Sequence, residues 1–209
     1  VQVSSNLRPR EWVVAIFTGG YVLAFTAWFL IGGNHEFIVY VITMLALIAL
    51  VGRSLRSAEY PVSMLWALSV WGLLHMAGGG VPVDGAVLYS LQVLPITPAD
   101  GDMRLLKYDQ IVHAYGFGVT AWVLWHLLTR HFPQLRDTMT SLFYPAFGAM
   151  GLGTVNEIIE FIAVLSVSET NVGGYVNTAL DLVFNALGAA VAMTVVAVWS
   201  RLRARRDAR

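Results

Sequence analysis

The chain has 209 residues, 57% of them hydrophobic and only 12% charged, against about 25% charged in an ordinary soluble domain. That balance excludes a water-soluble fold as the main reading, because so much apolar surface cannot be hidden inside a core of this size. Formal net charge is zero, so no overall field recruits nucleic acid, and none is expected as a partner. The absence of cysteine removes disulfides, thiolate metal sites and cysteine nucleophiles together.

Six apolar blocks follow in order: 12–31, 37–51, 61–77, 108–128, 139–165 and 177–199. Most approach the length of about 20 residues that an α-helix needs to cross a hydrocarbon core about 30 Å thick. The second and third are short and are expected to be prolonged by their flanks. The expectation is an all-α, polytopic transmembrane bundle of about six helices forming one domain over residues 1–209. The chain opens on Val1 rather than Met, and a start upstream of it is expected. The first block is too long for a signal-peptide core and lacks a small-residue cleavage site after it, so it reads as a retained helix.

Orientation follows from the basic residues, which cytoplasmic loops carry in excess. Eleven of the 13 Lys and Arg residues fall on one side, at Arg8, Arg10, Arg53, Arg56, Arg130, Arg136 and the tail from Arg201 to Arg209; only Arg104 and Lys107 fall on the other. Both termini are therefore expected in the cytoplasm, with the Arg-rich tail anchoring to anionic lipid. Residues 78–107 form a long outer loop with Gly78 to Gly80, Pro82, Pro95, Pro98, Asp100 and Asp102. Loops of this length are commonly functional lids, and its apolar stretch, 86–94, is expected over the bundle mouth.

Ionisable residues inside spans are costly and mark function by default. The fourth block opens with Asp109 and His113 at i, i+4; the fifth carries Asn156, Glu157 and Glu160; the sixth has Asn177, Asp181, Asn185 and Gly188 at one-turn intervals; His75 ends the third. The alternating direction of the helices puts these residues at one level in the outer half of the membrane. At 1.5 Å per residue, Glu160 lies about 9 Å and Glu157 about 13 Å below the end of the fifth span.

Carboxylates and imidazoles at one depth form a mixed oxygen and nitrogen set suited to zinc, manganese or iron. Asp109, His113, Glu160, Asp181 and His75 are the candidate metal ligands, and Glu157 and Glu160 the candidate catalytic acids or bases. Asn156, Asn177 and Asn185 are expected to orient them. A lone buried His75 is equally explained by one carbonyl or water. Glycines at 116, 118, 148, 151 and 153 read as surfaces for close helix packing. His126 and His131 read as headgroup-level residues at the inner end of the fourth span.

The ordered series His75-Met-Ala-Gly-Gly, Leu94-Pro95, Tyr108-Asp-Gln-Ile-Val-His113, Glu157-Ile-Ile-Glu160 and Asp181 to Gly188 resembles the uncharacterised YjdF-like family of bacterial inner-membrane proteins over about the last two thirds of the chain. This sequence has Gln110 where that family usually has arginine, and Asn177 where an aspartate is usual nearby. A more distant similarity is to VanZ-like membrane proteins, with an Asp and His helix, an Asn and Glu helix, and an Asp to Asn helix followed by glycine. These resemblances imply a multi-pass helical bundle of the bacterial inner membrane, with a role tied to amphiphiles or the envelope.

Three functions fit the residues. One is an enzyme or binding protein whose outer-leaflet site holds a divalent metal and takes a lipid-like molecule from the surrounding membrane lipids. The second is an accessory subunit whose cluster holds the bundle together and whose aromatic surfaces face other membrane subunits or pigments. The third is a small cation or proton transporter with the carboxylates as a relay. The residues alone do not decide whether the protein is an enzyme.

Overall fold

The computed structural model describes residues 7–33, 36–98, 101, 103–166 and 174–207; Asp100, Asp102 and Arg209, noted above, lie outside them. Six α-helices account for most of the chain: α1 (Pro9–Ile31), α2 (Glu36–Ala58), α3 (Val62–Gly80), α4 (Tyr108–His131), α5 (Thr140–Ser166) and α6 (Tyr175–Asp207). Each is long and apolar enough to cross a membrane. The blocks that read as short, the second and third, extend to Ala58 and Gly80. Large apolar side chains such as Leu23, Ile31, Leu165 and Val191 are mostly exposed, which is the arrangement of helices solvated by lipid rather than water.

The chain divides into two compact units, one built on α1 to α3 and the other on α4, α6 and all but the last turn of α5. In the first, polar groups tie helix to helix. Tyr21 donates from its hydroxyl to the Ser69 carbonyl at 3.0 Å, and the Thr18 and Ser69 hydroxyls meet at 2.6 Å. Gly72 leaves the space that the Tyr21 hydroxyl and Met44 fill. In the first turn of α1, Glu11 is almost fully buried and takes both guanidinium nitrogens of Arg56 from α2, at 3.1 and 3.0 Å. Such a fork is stronger and more directional than a single contact.

A small β-hairpin follows α3, with β1 (Pro82–Val83) antiparallel to β2 (Ala86–Val87). Its two-residue turn, Asp84 and Gly85, has positive φ at both positions, 48° and 81°, the geometry of a type I′ turn. One turn of 3-10 helix over Leu88–Ser90 comes next and sets Tyr89 against Gly78, where any side chain would collide with the ring.

The rest of the outer loop belongs to the second unit and is held by Gln92. Its backbone bridges Lys107, and its amide donates to the Thr97 and Leu105 carbonyls at 3.0 and 3.1 Å. The loop thus delivers the chain, closed on itself, to the first residue of α4. Farther along this unit Ala121, Ala149, Ala189 and Met193 form an apolar core. Helix α6 has 33 residues and is about 50 Å long, so its basic end outruns the hydrocarbon core; there Arg203 stacks over Trp199 at 5.4 Å.

Candidate functional site

The α4 to α6 unit gathers its ionisable residues at one end. Helix α4 starts immediately after Lys107, and Gln110 secures that start: its side-chain oxygen accepts from the Lys107 N–H at 3.2 Å while its amide donates to the Arg104 carbonyl at 2.8 Å. Asp109 then falls in the first helical turn, where the positive end of the helix dipole favours a carboxylate. His113 follows one turn below on the same face.

The register between α4 and α6 is set by their closest crossing. Gly188 lies against the backbone of Ala114, and a Cβ added at Gly118 would stand 3.0 Å from the Gly188 carbonyl oxygen. With no side chain between the two backbones, the helices meet one residue after His113 and three after Asn185. His113 Nδ1 and Asn185 Oδ1 are consequently 3.0 Å apart. On α5, Gly153 opens the room that Asn185 occupies, since a Cβ there would be 2.6 Å from its amide nitrogen.

His113 is the hub. Its Nε2 is 3.6 Å from Asp109 Oδ1 and 3.9 Å from Glu160 Oε1, and its Nδ1 is 3.6 Å from Glu157 Oε1. Among the described residues, two sets can each present one ligand atom within 4.8 Å of the others: Asp109, His113 and Asp181, and His113, Glu157 and Glu160. For comparison, ligand atoms each about 2.1 Å from a tetrahedral ion lie about 3.4 Å apart. Asn185 Oδ1 can only accept, so Nδ1 carries the hydrogen of that contact and the Nε2 lone pair is left for an ion.

The asparagines orient the acids. Asn156 donates to Glu160 Oε1 at 2.8 Å. Asn177 accepts from the Lys107 ammonium and turns its amide hydrogens to Asp181 Oδ2 at 2.5 Å and Asp109 Oδ2 at 3.4 Å. Lys107 is itself 3.7 Å from Asp109. Among the described residues, four carboxyl groups thus share one ammonium and one imidazole. Several of their atoms lack any hydrogen bond: both oxygens of Glu157, Asp181 Oδ1 and the Asn185 amide nitrogen. Glu157 is 7% exposed, Asp181 0% and Asn185 1%. Buried polar atoms are nearly always satisfied, and each exception asks for an explanation.

Of the residues singled out in the sequence, Asp109, His113, Asn156, Glu157, Glu160, Asn177, Asp181 and Asn185 come together here. His75 belongs to the α1 to α3 unit, where the Tyr89 hydroxyl reaches its Nδ1 at 2.6 Å and its carbonyl oxygen at 2.8 Å, with Tyr40 and Trp71 in ring contact. His126 and His131 lie in the last turns of α4, away from the cluster. Sequence reasoning missed Lys107 and Gln110 as members of the site. The signal for Lys107 was its standing as one of two cations on its side of the chain, two residues before Asp109.

The model of the family described as predicted membrane protein, DUF2238, matches residues 13–202, which include every residue of this cluster. This chain belongs to the DUF2238 family. The family is the YjdF-like one, so the assignment agrees with the resemblance read from the ordered motifs. Neither a curated protein nor a solved structure matches the chain.

Proposed function

We propose that this protein binds a divalent cation within the α4 to α6 unit, in the outer half of the bacterial inner membrane, and uses it to bind or act on a lipid-like molecule. The observation that carries the reading is His113 ringed by carboxylates, with both oxygens of the buried Glu157 lacking a hydrogen bond. Burying several carboxyl groups costs more than weak helix-to-helix contacts return, at about 0.6 kcal/mol each, unless positive charge compensates them. One lysine does not balance four acids. An imidazole with two or three carboxylates suits zinc, manganese or iron.

The orientation rests on the placement of Lys and Arg: with both termini cytoplasmic, the starts of α4 and α6 face outward. A bound ion would polarise a phosphoryl or carbonyl oxygen, and a Glu157 carboxylate beside it has the reach of a general base toward water or a hydroxyl. The outer loop, whose described part is tied by Gln92 to Thr97, Leu105 and Lys107 just before Asp109, would then serve as the lid.

The test is metal analysis of the full chain purified without chelator in mild detergent. The wild type is expected to hold about one transition-metal ion per chain, the ratio this reading implies. Asp109→Asn combined with Glu160→Gln is expected to lose it while remaining folded by circular dichroism. Metal-free wild-type protein that also fails to take up added Zn2+ or Mn2+ would sink the reading.

A further inference from the structure

The two halves of the acidic cluster differ in how they are compensated. On the Asp109 and Asp181 side, positive charge is built in: the Lys107 ammonium lies 3.7 Å from Asp109 and donates to Asn177, whose amide passes hydrogen bonds to Asp109 and Asp181. On the Glu157 and Glu160 side the donor is the neutral Asn156 amide, at 2.8 Å from Glu160, and no hydrogen bond within 3.5 Å reaches Glu157, whose near neighbour is the His113 imidazole at 3.6 Å. His113 belongs to both possible ligand sets, yet a neutral imidazole has one lone pair to give; with Nδ1 taken by Asn185, that pair is on Nε2, 3.6 Å from Asp109 Oδ1 and 3.9 Å from Glu160 Oε1.

We infer that Lys107 is a tethered cation that fills the Asp109 and Asp181 side and limits the cluster to one divalent ion, seated on His113, Glu157 and Glu160. The inference rests on the divalent-cation reading above and adds a residue that determines how many ions enter and where. A second dication beside Asp109 would sit within a few ångströms of the ammonium, where like charges repel strongly and solvent screens them little. With Lys107 gone, Asp109 and the unbonded Asp181 Oδ1 become a second carboxylate seat. The lysine thus acts as a specificity element without being a ligand.

The experiment counts Mn2+ bound to the full chain in detergent, with Mn2+ alone as the probe and free ion followed by electron paramagnetic resonance. The wild type and Lys107→Arg, which keeps the charge, should bind one ion. Lys107→Met should bind two, and Lys107→Gln, which keeps a donor for Asn177 and guards against misfolding of the Met variant, should do the same. Neutral variants that remain at one ion, or fall to none while folded, overturn the inference and leave the cation reading intact. A wild type that binds no Mn2+ overturns that reading for Mn2+ and this inference with it.

Discussion

The two units treat buried charge in opposite ways. In the α1 to α3 unit Glu11 is closed off, both its oxygens taken by the forked guanidinium of Arg56. In the α4 to α6 unit Glu157 is buried as deeply, and neither oxygen has a hydrogen bond. The same residue type, equally withdrawn from solvent, is in one place a fastener and in the other left without a hydrogen bond, the feature on which the proposed cation seat rests. What separates structure from site here is therefore completeness of pairing rather than the presence of charge.

The comparison is broken most decisively at the hub. If His113 is a direct ligand of the proposed divalent ion, His113→Ala should lower affinity at least 100-fold; unchanged uptake in a Zn2+ or Mn2+ titration would return the cluster to the role of a fastener. Next comes the crossing that aligns the cluster. Gly188→Ala puts a methyl group into the Ala114 backbone and should cost about 1–3 kcal/mol, seen as a lower melting temperature together with weaker metal binding.

In the closed unit the expected effects are smaller and confined to stability. Arg56→Met leaves Glu11 without its fork and should cost about 1–2 kcal/mol, with Glu11→Gln added in the same chain recovering part of the loss and metal content unchanged throughout. The smallest effect is expected from Tyr89→Phe. It removes the hydroxyl that pins the 3-10 turn to His75, costing about 1 kcal/mol, read as faster proteolysis at residues 82–91.

The six helices were legible because lipid solvation demands long apolar runs with internally satisfied backbones, and that demand is written residue by residue. That Asp109, His113, Glu157, Glu160 and Asp181 share one end of α4, α5 and α6 was also readable, since alternating helix direction converts sequence position into depth. Pairing within that level was not. Which nitrogen of His113 meets Asn185 depends on the α4 and α6 crossing at Gly188, and a glycine's significance lies in the backbone opposite it. The hairpin at Asp84-Gly85 had an adequate local signal, an Asp-Gly pair between short apolar runs, but was obscured by reading the whole of 78–107 as one loop. Lys107 was counted toward topology, which left its contact with Asn177 unconsidered.

The seat of Asn185 has a consequence for how such sequences can diverge. Its side chain occupies the space above Gly153, so volume at the two positions is a shared quantity. A lineage that enlarges position 153 must shrink position 185 and give up the partner of His113 Nδ1, whereas one that keeps the asparagine is held to glycine on α5. Two positions 32 residues apart are thereby expected to change together or not at all.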